Sequence, residues 1–132
     1  MAVTATPIFI QTPKVALQSI ATANTNRDGT GTIGAVYTAG SNGSKIDHID
    51  ICAAGPTTAG VVRLYIYDGS TYFLWKEILV GAITPSATIA AYMATVDCSI
   101  AGNSLYLPSG YSLRASTHNA ETFKVIAVGG DF

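Results

Sequence analysis

The sequence predicts an all-β fold: one antiparallel β-sandwich of the jelly-roll kind, with about eight strands. Three observations predict it. Tyr, Val, Ile and Thr are plentiful, and turn residues recur at short intervals. No run combines helix caps with a 3.6-residue apolar period. At 132 residues the chain suits a single domain and can hide about two-thirds of its unfolded surface. Long connections between some neighbouring strands favour two stacked sheets, with a closed up-and-down barrel as the alternative.

The elements follow in order. Residues 1–13 read as an extended N-terminal arm, with Pro7 and Pro13 flanking Ile8, Phe9 and Ile10, and residues 14–132 as the sandwich. Residues 15–20 are the first strand, and 23–31 are too rich in Asn, Asp and Gly to be anything but a loop. Residues 32–38 make a strand, and the turn at 39–43 uses Asn42-Gly43 for its positive-φ positions. In the strand at 45–54, Ile46, Ile49 and Ile51 break the period of two, which predicts a bulge near His48.

Residues 55–60 form a loop. Then comes the clearest pattern in the chain. Over 61–67, Val62, Leu64 and Ile66 take one face and Arg63, Tyr65 and Tyr67 the other. Asp68-Gly69-Ser70 turns the chain into 71–80, where Phe73, Trp75 and Leu79 alternate against Tyr72, Leu74, Lys76 and Ile78. This is a β-hairpin. A connection at 81–86 leads to a strand over 87–98, a short one at 105–107, one at 111–117 and a last one at 122–128, with 129–132 as a tail.

Composition narrows the function. Only 15 of the 132 residues are Lys, Arg, Asp or Glu, which is 11% against about 25% in ordinary domains. Few ions need stripping of water when a partner docks, so the expectation is a stable homo-oligomer rather than a free monomer. The seven basic residues are scattered, which argues against nucleic acid, because displacing counterions takes a concentrated patch. Apolar runs stop well short of the roughly 18 residues that span a bilayer, so no membrane partner is expected. The first residues lack a basic stretch followed by an apolar core, so synthesis in the cytosol is expected.

A search for chemistry returns little. Cys52 and Cys98 sit in strands without a Cys-x-x-Cys pattern or a neighbouring His, and read as free, small packed side chains. His48 and Asp50 share a strand face, but two ligands fall short of a metal or acid–base site. His118 reads as a solvated turn residue. Gly29-Thr30-Gly31 has no following helix to hold a phosphate, and Asp28-Gly29 lacks the remaining ligands of a calcium loop. No serine lies in a nucleophile elbow. The expectation is no enzyme, no metal and no cofactor.

The apolar arm residues Ile8, Phe9 and Ile10 are candidates for docking. In the hairpin, Tyr65, Tyr67 and Tyr72 crowd together with Phe73 and Trp75. Those rings support three readings: cross-strand pairs that stiffen the sheet, an interface between subunits, or a platform for sugars.

Several runs resemble a group of small virion proteins of tailed bacteriophages. They are Thr25-Asn26-Arg27-Asp28-Gly29-Thr30-Gly31, the stretch from Thr57 through Asp68-Gly69, Trp75-Lys76-Glu77-Ile78, Leu107-Pro108-Ser109-Gly110-Tyr111 onward to Thr117, Ala120-Glu121-Thr122-Phe123 and Gly129-Gly130-Asp131-Phe132. The resemblance covers residues 23–132. It implies a β-sandwich that decorates or cements the outside of a capsid, as a homotrimer bound to the major capsid protein. Related proteins serve in tails, baseplates or fibres, which makes a receptor- or glycan-binding module the alternative. The resemblance carries over no catalytic residue.

Overall fold

The computed structural model describes residues 9–99 and 104–132. These residues contain nine strands and no helix: β1 (Thr12–Ile20), β2 (Gly34–Thr38), β3 (Ser44–Ala53), β4 (Gly60–Tyr67), β5 (Tyr72–Val80), β6 (Met93–Asp97), β7 (Leu105–Leu107), β8 (Ser112–Thr117) and β9 (Phe123–Asp131). They form two antiparallel sheets. One runs β1-β9-β3-β6, with β7 also paired to β3; the other runs β2-β8-β4-β5. The chain winds from sheet to sheet, so that β1 pairs with β9 and β2 with β8. That interleaving is the jelly-roll order.

Alternation along the strands fills the space between the sheets. Ile49 and Ile51 of β3 and Phe123 and Val125 of β9 meet Val62 and Leu64 of β4 and Leu113 of β8, all close to fully buried. Ile46 is buried as well, although it lies three positions before Ile49. The predicted bulge makes this possible. The β3–β9 register shifts between Ile46 and His48, and the freed Asp47 carbonyl accepts the Cys98 amide at 2.7 Å. Along one flank of the sandwich, β1 and β2 are tied by side chains: Gln18 Nε2 donates to the Ala35 carbonyl at 2.8 Å, and Lys14 Nζ to that of Thr38 at 2.8 Å.

Three boundaries differ most from the sequence reading. First, β1 begins at Thr12, inside the segment read as an arm. Thr12 pairs with Asp131 and Pro13 with Gly130, and the Gln11 amide donates to the Asp131 carbonyl at 2.9 Å. Proline is tolerated there because β1 is the outermost strand of its sheet. Second, residues 129–131 are strand, not tail, and pair with both β1 and β3. Glycine suits this place because β3 closes on it: a Cβ on Gly129 would overlap the Lys45 carbonyl oxygen and come within 2.9 Å of Ile46 Cα. Third, β6 covers only residues 93–97. The chain before it is held by a local turn, with reciprocal bonds between the Ser86 and Ile89 backbones, and by an isolated bridge from Ile83 to Thr57.

The hairpin of β4 and β5 forms as predicted. Its turn is fixed by Asp68, whose carboxylate accepts the amides of Ser70 at 2.9 Å and Thr71 at 2.7 Å. The alternation of β5 slips, however. Leu64 faces Lys76 but Tyr65 faces Leu74, leaving Trp75 in a bulge. As a result Leu79 sits opposite Val61, Ile78 opposite the core residue Val62, and Phe73 opposite Ile66. In the turn before β3, only Gly43 adopts a positive φ, of 86°; Asn42 does not.

Candidate functional site

The candidate residues separate into two regions and change character in doing so. Tyr65 is fully buried, so its ring does not meet solvent. The loop at residues 21–33 covers it, lying across the outer face of the second sheet. Asn24, itself buried, is the knot of this loop. Its amide donates to Thr117 O at 2.8 Å, and its Nδ2 donates to Thr30 O at 2.9 Å and Thr32 O at 3.0 Å. The loop carbonyls then serve the sheet beneath. Asn24 O accepts Arg63 Nη1 at 2.9 Å, and Asn26 O accepts the Tyr65 hydroxyl at 3.1 Å. Gly29, at φ 85°, lies directly on Tyr72, where a Cβ would meet the tyrosine Cβ at 2.6 Å.

Arg63 was not singled out from the sequence, and it is a large, fully buried side chain. Its Nη2 lies 3.1 Å from His118 Nδ1. Because arginine only donates, that His nitrogen is the acceptor of the pair. Arg63 Nε has no hydrogen-bond partner and faces Glu77 Oε2 at 4.0 Å. Glu77 is held in turn by Arg27 Nε at 2.6 Å. The Arg27 guanidinium, through its hydrogen bond, keeps the Glu77 carboxyl below its ordinary range. Alternation places Arg63 and Tyr65 on one face, but nothing in a local pattern tells that a loop 39 residues away in sequence will cover it.

Tyr67 and Tyr72 do come together, ring centroids 4.3 Å apart, and are half-buried. Arg114 of β8 completes the group. Its guanidinium stands over the Tyr67 ring at 4.3 Å, and its Nη1 donates to the Tyr72 hydroxyl at 3.1 Å. Arg114 thus occupies a face of Tyr67, and Gly29 sits against Tyr72. The rings are therefore largely committed to cross-strand packing.

The arm residues lie elsewhere. Ile8 is outside the described residues. Phe9 is 71% exposed, while Ile10 lies over Gly130. Together with Lys45, Tyr106 and Phe132 they line a shallow groove of about 190 Å³, in which Tyr106 and Phe132 stack at 6.5 Å.

The polar candidates have structural partners. His48 Nε2 is 3.4 Å from Asp50, which also accepts the Thr95 hydroxyl at 2.6 Å. The Asp28 carboxylate folds its own loop, accepting the Thr30 amide at 3.1 Å and hydroxyl at 2.6 Å. Among the described residues, no three His, Cys, Asp or Glu side chains gather as metal ligands. Both cysteines are free; Cys98 is buried, and burial pushes its thiol up.

The largest apolar side chains exposed to solvent include Phe9, Val15, Leu17, Phe73, Leu79 and Met93. Sequence patterning singled out Phe9 in the arm, and for the other five marked the strands but not the exposure. Comparison with protein families, with curated proteins and with solved structures finds no match to this chain.

Proposed function

We propose that the chain is a structural virion protein of a tailed bacteriophage, which decorates and cements the outside of the head as a homotrimer on the major capsid protein. One observation carries this reading. The sandwich has a complete core, yet it leaves large aliphatic and aromatic side chains in water on both sheets, from Leu17 at 69% to Leu79 at 79% exposed. Apolar side chains that adjoin on a surface, as Val15 and Leu17 do with Val128 and Ile126, mark a site of interaction. The low charge supports it, since docking then strips few ions. So does the resemblance of the runs quoted above, and the jelly roll is a fold that capsid proteins use. The mode of action is avidity: an oligomer astride several capsid subunits holds tightly through modest contacts.

The test is addition of the purified protein to heads assembled without it. Co-sedimentation, with new density on the outer shell by electron cryo-microscopy and a raised melting temperature of the heads, is the expected result. No binding to heads, or density at a fibre or baseplate instead, would replace this reading with the receptor- or glycan-binding one. The sugar platform is weakened by the burial of Tyr65 and by the seat of Arg114 over Tyr67.

A further inference from the structure

Glycine directly follows Asn or Asp at Asp28-Gly29, Asn42-Gly43 and Asp68-Gly69. With no side chain to crowd it, a glycine amide nitrogen can attack the preceding side-chain carbonyl carbon and close a five-membered ring. The fold treats these sites differently. The Asp28 carboxylate accepts the Thr30 hydroxyl and amide, and the Asp68 carboxylate accepts the amides of Thr71 and Ser70. Those hydrogen bonds hold both carboxyls below their ordinary range, so each stays an anion that repels a nucleophile. Asn42 is exposed and carries a neutral amide. It stands in a tie between distant parts of the chain. The Gly43 amide donates to the Gly40 carbonyl at 3.0 Å, and the Phe132 amide donates to the Gly43 carbonyl at 3.1 Å. The Ser44 hydroxyl accepts the Gly40 amide at 2.9 Å and donates to Asp131. Glycine is required at 43, where φ is 86° and a Cβ would come within 3.1 Å of the Leu107 carbonyl oxygen. Asn42 has no positive φ, so the backbone does not demand asparagine there.

We propose that Asn42 is a site of spontaneous covalent modification, where loss of ammonia converts it to aspartate or isoaspartate. In the first step the Gly43 nitrogen gives up its proton to hydroxide and bonds to Asn42 Cγ. The bond from Cγ to the side-chain nitrogen breaks, and that nitrogen takes a proton from water and leaves as ammonia. Water then opens the cyclic imide. Cleavage between Cγ and the Gly43 nitrogen leaves aspartate in an unchanged backbone. Cleavage at the main-chain carbonyl leaves isoaspartate, with the chain running through Cβ and Cγ. Nothing is oxidised or reduced, and water is the only co-reactant. The fold gates the reaction, because the Gly40 carbonyl holds the N–H that must be lost, so the turn has to open first. Both products add a carboxylate to a turn that already lies against Asp131, where a Cβ on Gly40 would come within 2.9 Å of the carboxyl carbon. Isoaspartate also lengthens the backbone by one carbon just before Gly43. That displaces the Gly43 carbonyl from the Phe132 amide and unties the end of β9.

Incubation of the full chain in mildly alkaline buffer, followed by trypsin and mass spectrometry, tests this. Cleavage after Arg27 and Lys45 releases a peptide, 28–45, that holds Asn42 and no other asparagine. This peptide is expected to change from amide to acid before those carrying Asn24, Asn26, Asn103 or Asn119, with isoaspartate among its products. Conversion is expected to run severalfold slower in the folded chain than in urea. Asn42→Gln, whose longer side chain closes a six-membered ring slowly, is expected to keep the peptide intact and the circular dichroism spectrum unchanged. The isoaspartate form, separated by anion exchange, is expected to melt lower than Asn42→Asp and to exchange its Phe132 amide faster, since only the former carries the extra backbone carbon. Another asparagine converting first overturns the proposal, as does a folded chain in which 28–45 stays unconverted. Conversion as fast in the folded chain as in urea overturns the gating, and an isoaspartate form that melts with Asn42→Asp overturns the untying of β9.

Discussion

Asp131 shows how much one side chain holds at the junction of the two sheets. Its carboxylate accepts the hydroxyls of Ser44 at 2.5 Å and Tyr37 at 3.0 Å, with Lys14 Nζ at 3.7 Å. The Ser44 bond first, then Tyr37 and Lys14, hold its carboxyl below the usual range; burial first, then Asp131, pushes the Tyr37 phenol up to about 12. A depressed carboxyl contributes stability that is full above its unfolded value and is lost as pH falls through the folded one. Asp131→Asn should therefore flatten the loss of stability between about pH 5 and about pH 2, followed by urea unfolding at each pH. Asp131→Ala strands two hydroxyl donors and should cost about 1–3 kcal/mol for each that stays dry. The thiols offer a second check at this scale. Cys52, partly exposed, should react promptly with a thiol reagent, and buried Cys98 only after unfolding. Arg63 was legible only as one face of an alternating strand. Arg63→Ala would leave its cover, the Asn24 carbonyl, and His118 without their donor. Faster tryptic cleavage at Arg27, together with a lower urea midpoint, is the expected signature.

Among the elements, the sequence was most readable where a strand has one wet and one dry face. The hairpin of β4 and β5 and the bulge in β3 were visible because alternation, or its interruption, is written in adjacent residues. The ends of β1 and β9 were not. Pro13 and the Gly129-Gly130 pair read locally as breakers, yet Pro13 lies in an outermost strand and Gly129 answers a close approach from β3. Two truncations separate arm from strand. A chain beginning at residue 9 keeps every β1–β9 pair, and should unfold like the full chain. One beginning at residue 14 loses the Thr12–Asp131 and Pro13–Gly130 pairs and the Ile10 cover over Gly130, and should show a lower melting temperature. Gly129→Ala forces β3 away from β9, and should destabilise by about 1–3 kcal/mol or more in urea titration.

At the scale of the whole molecule, each sheet draws its strands from distant parts of the chain, and most pairings join residues far apart in sequence. Loop closure must be completed before those contacts form, so folding on the scale of milliseconds to seconds is expected for this topology. The pairing of β1 with β9 has a further consequence during synthesis. Ribosomes deliver β1 early, but its hydrogen-bonding partner emerges only with the last residues of β9. A nascent chain therefore holds Val15 and Leu17 in a strand that belongs to no sheet. A product interrupted before β9 never builds the surface shared by those residues with Ile126 and Val128. Such a chain keeps the hydrogen-bonding edge of β1 open, because the order of the strands makes the last one the cover of the first.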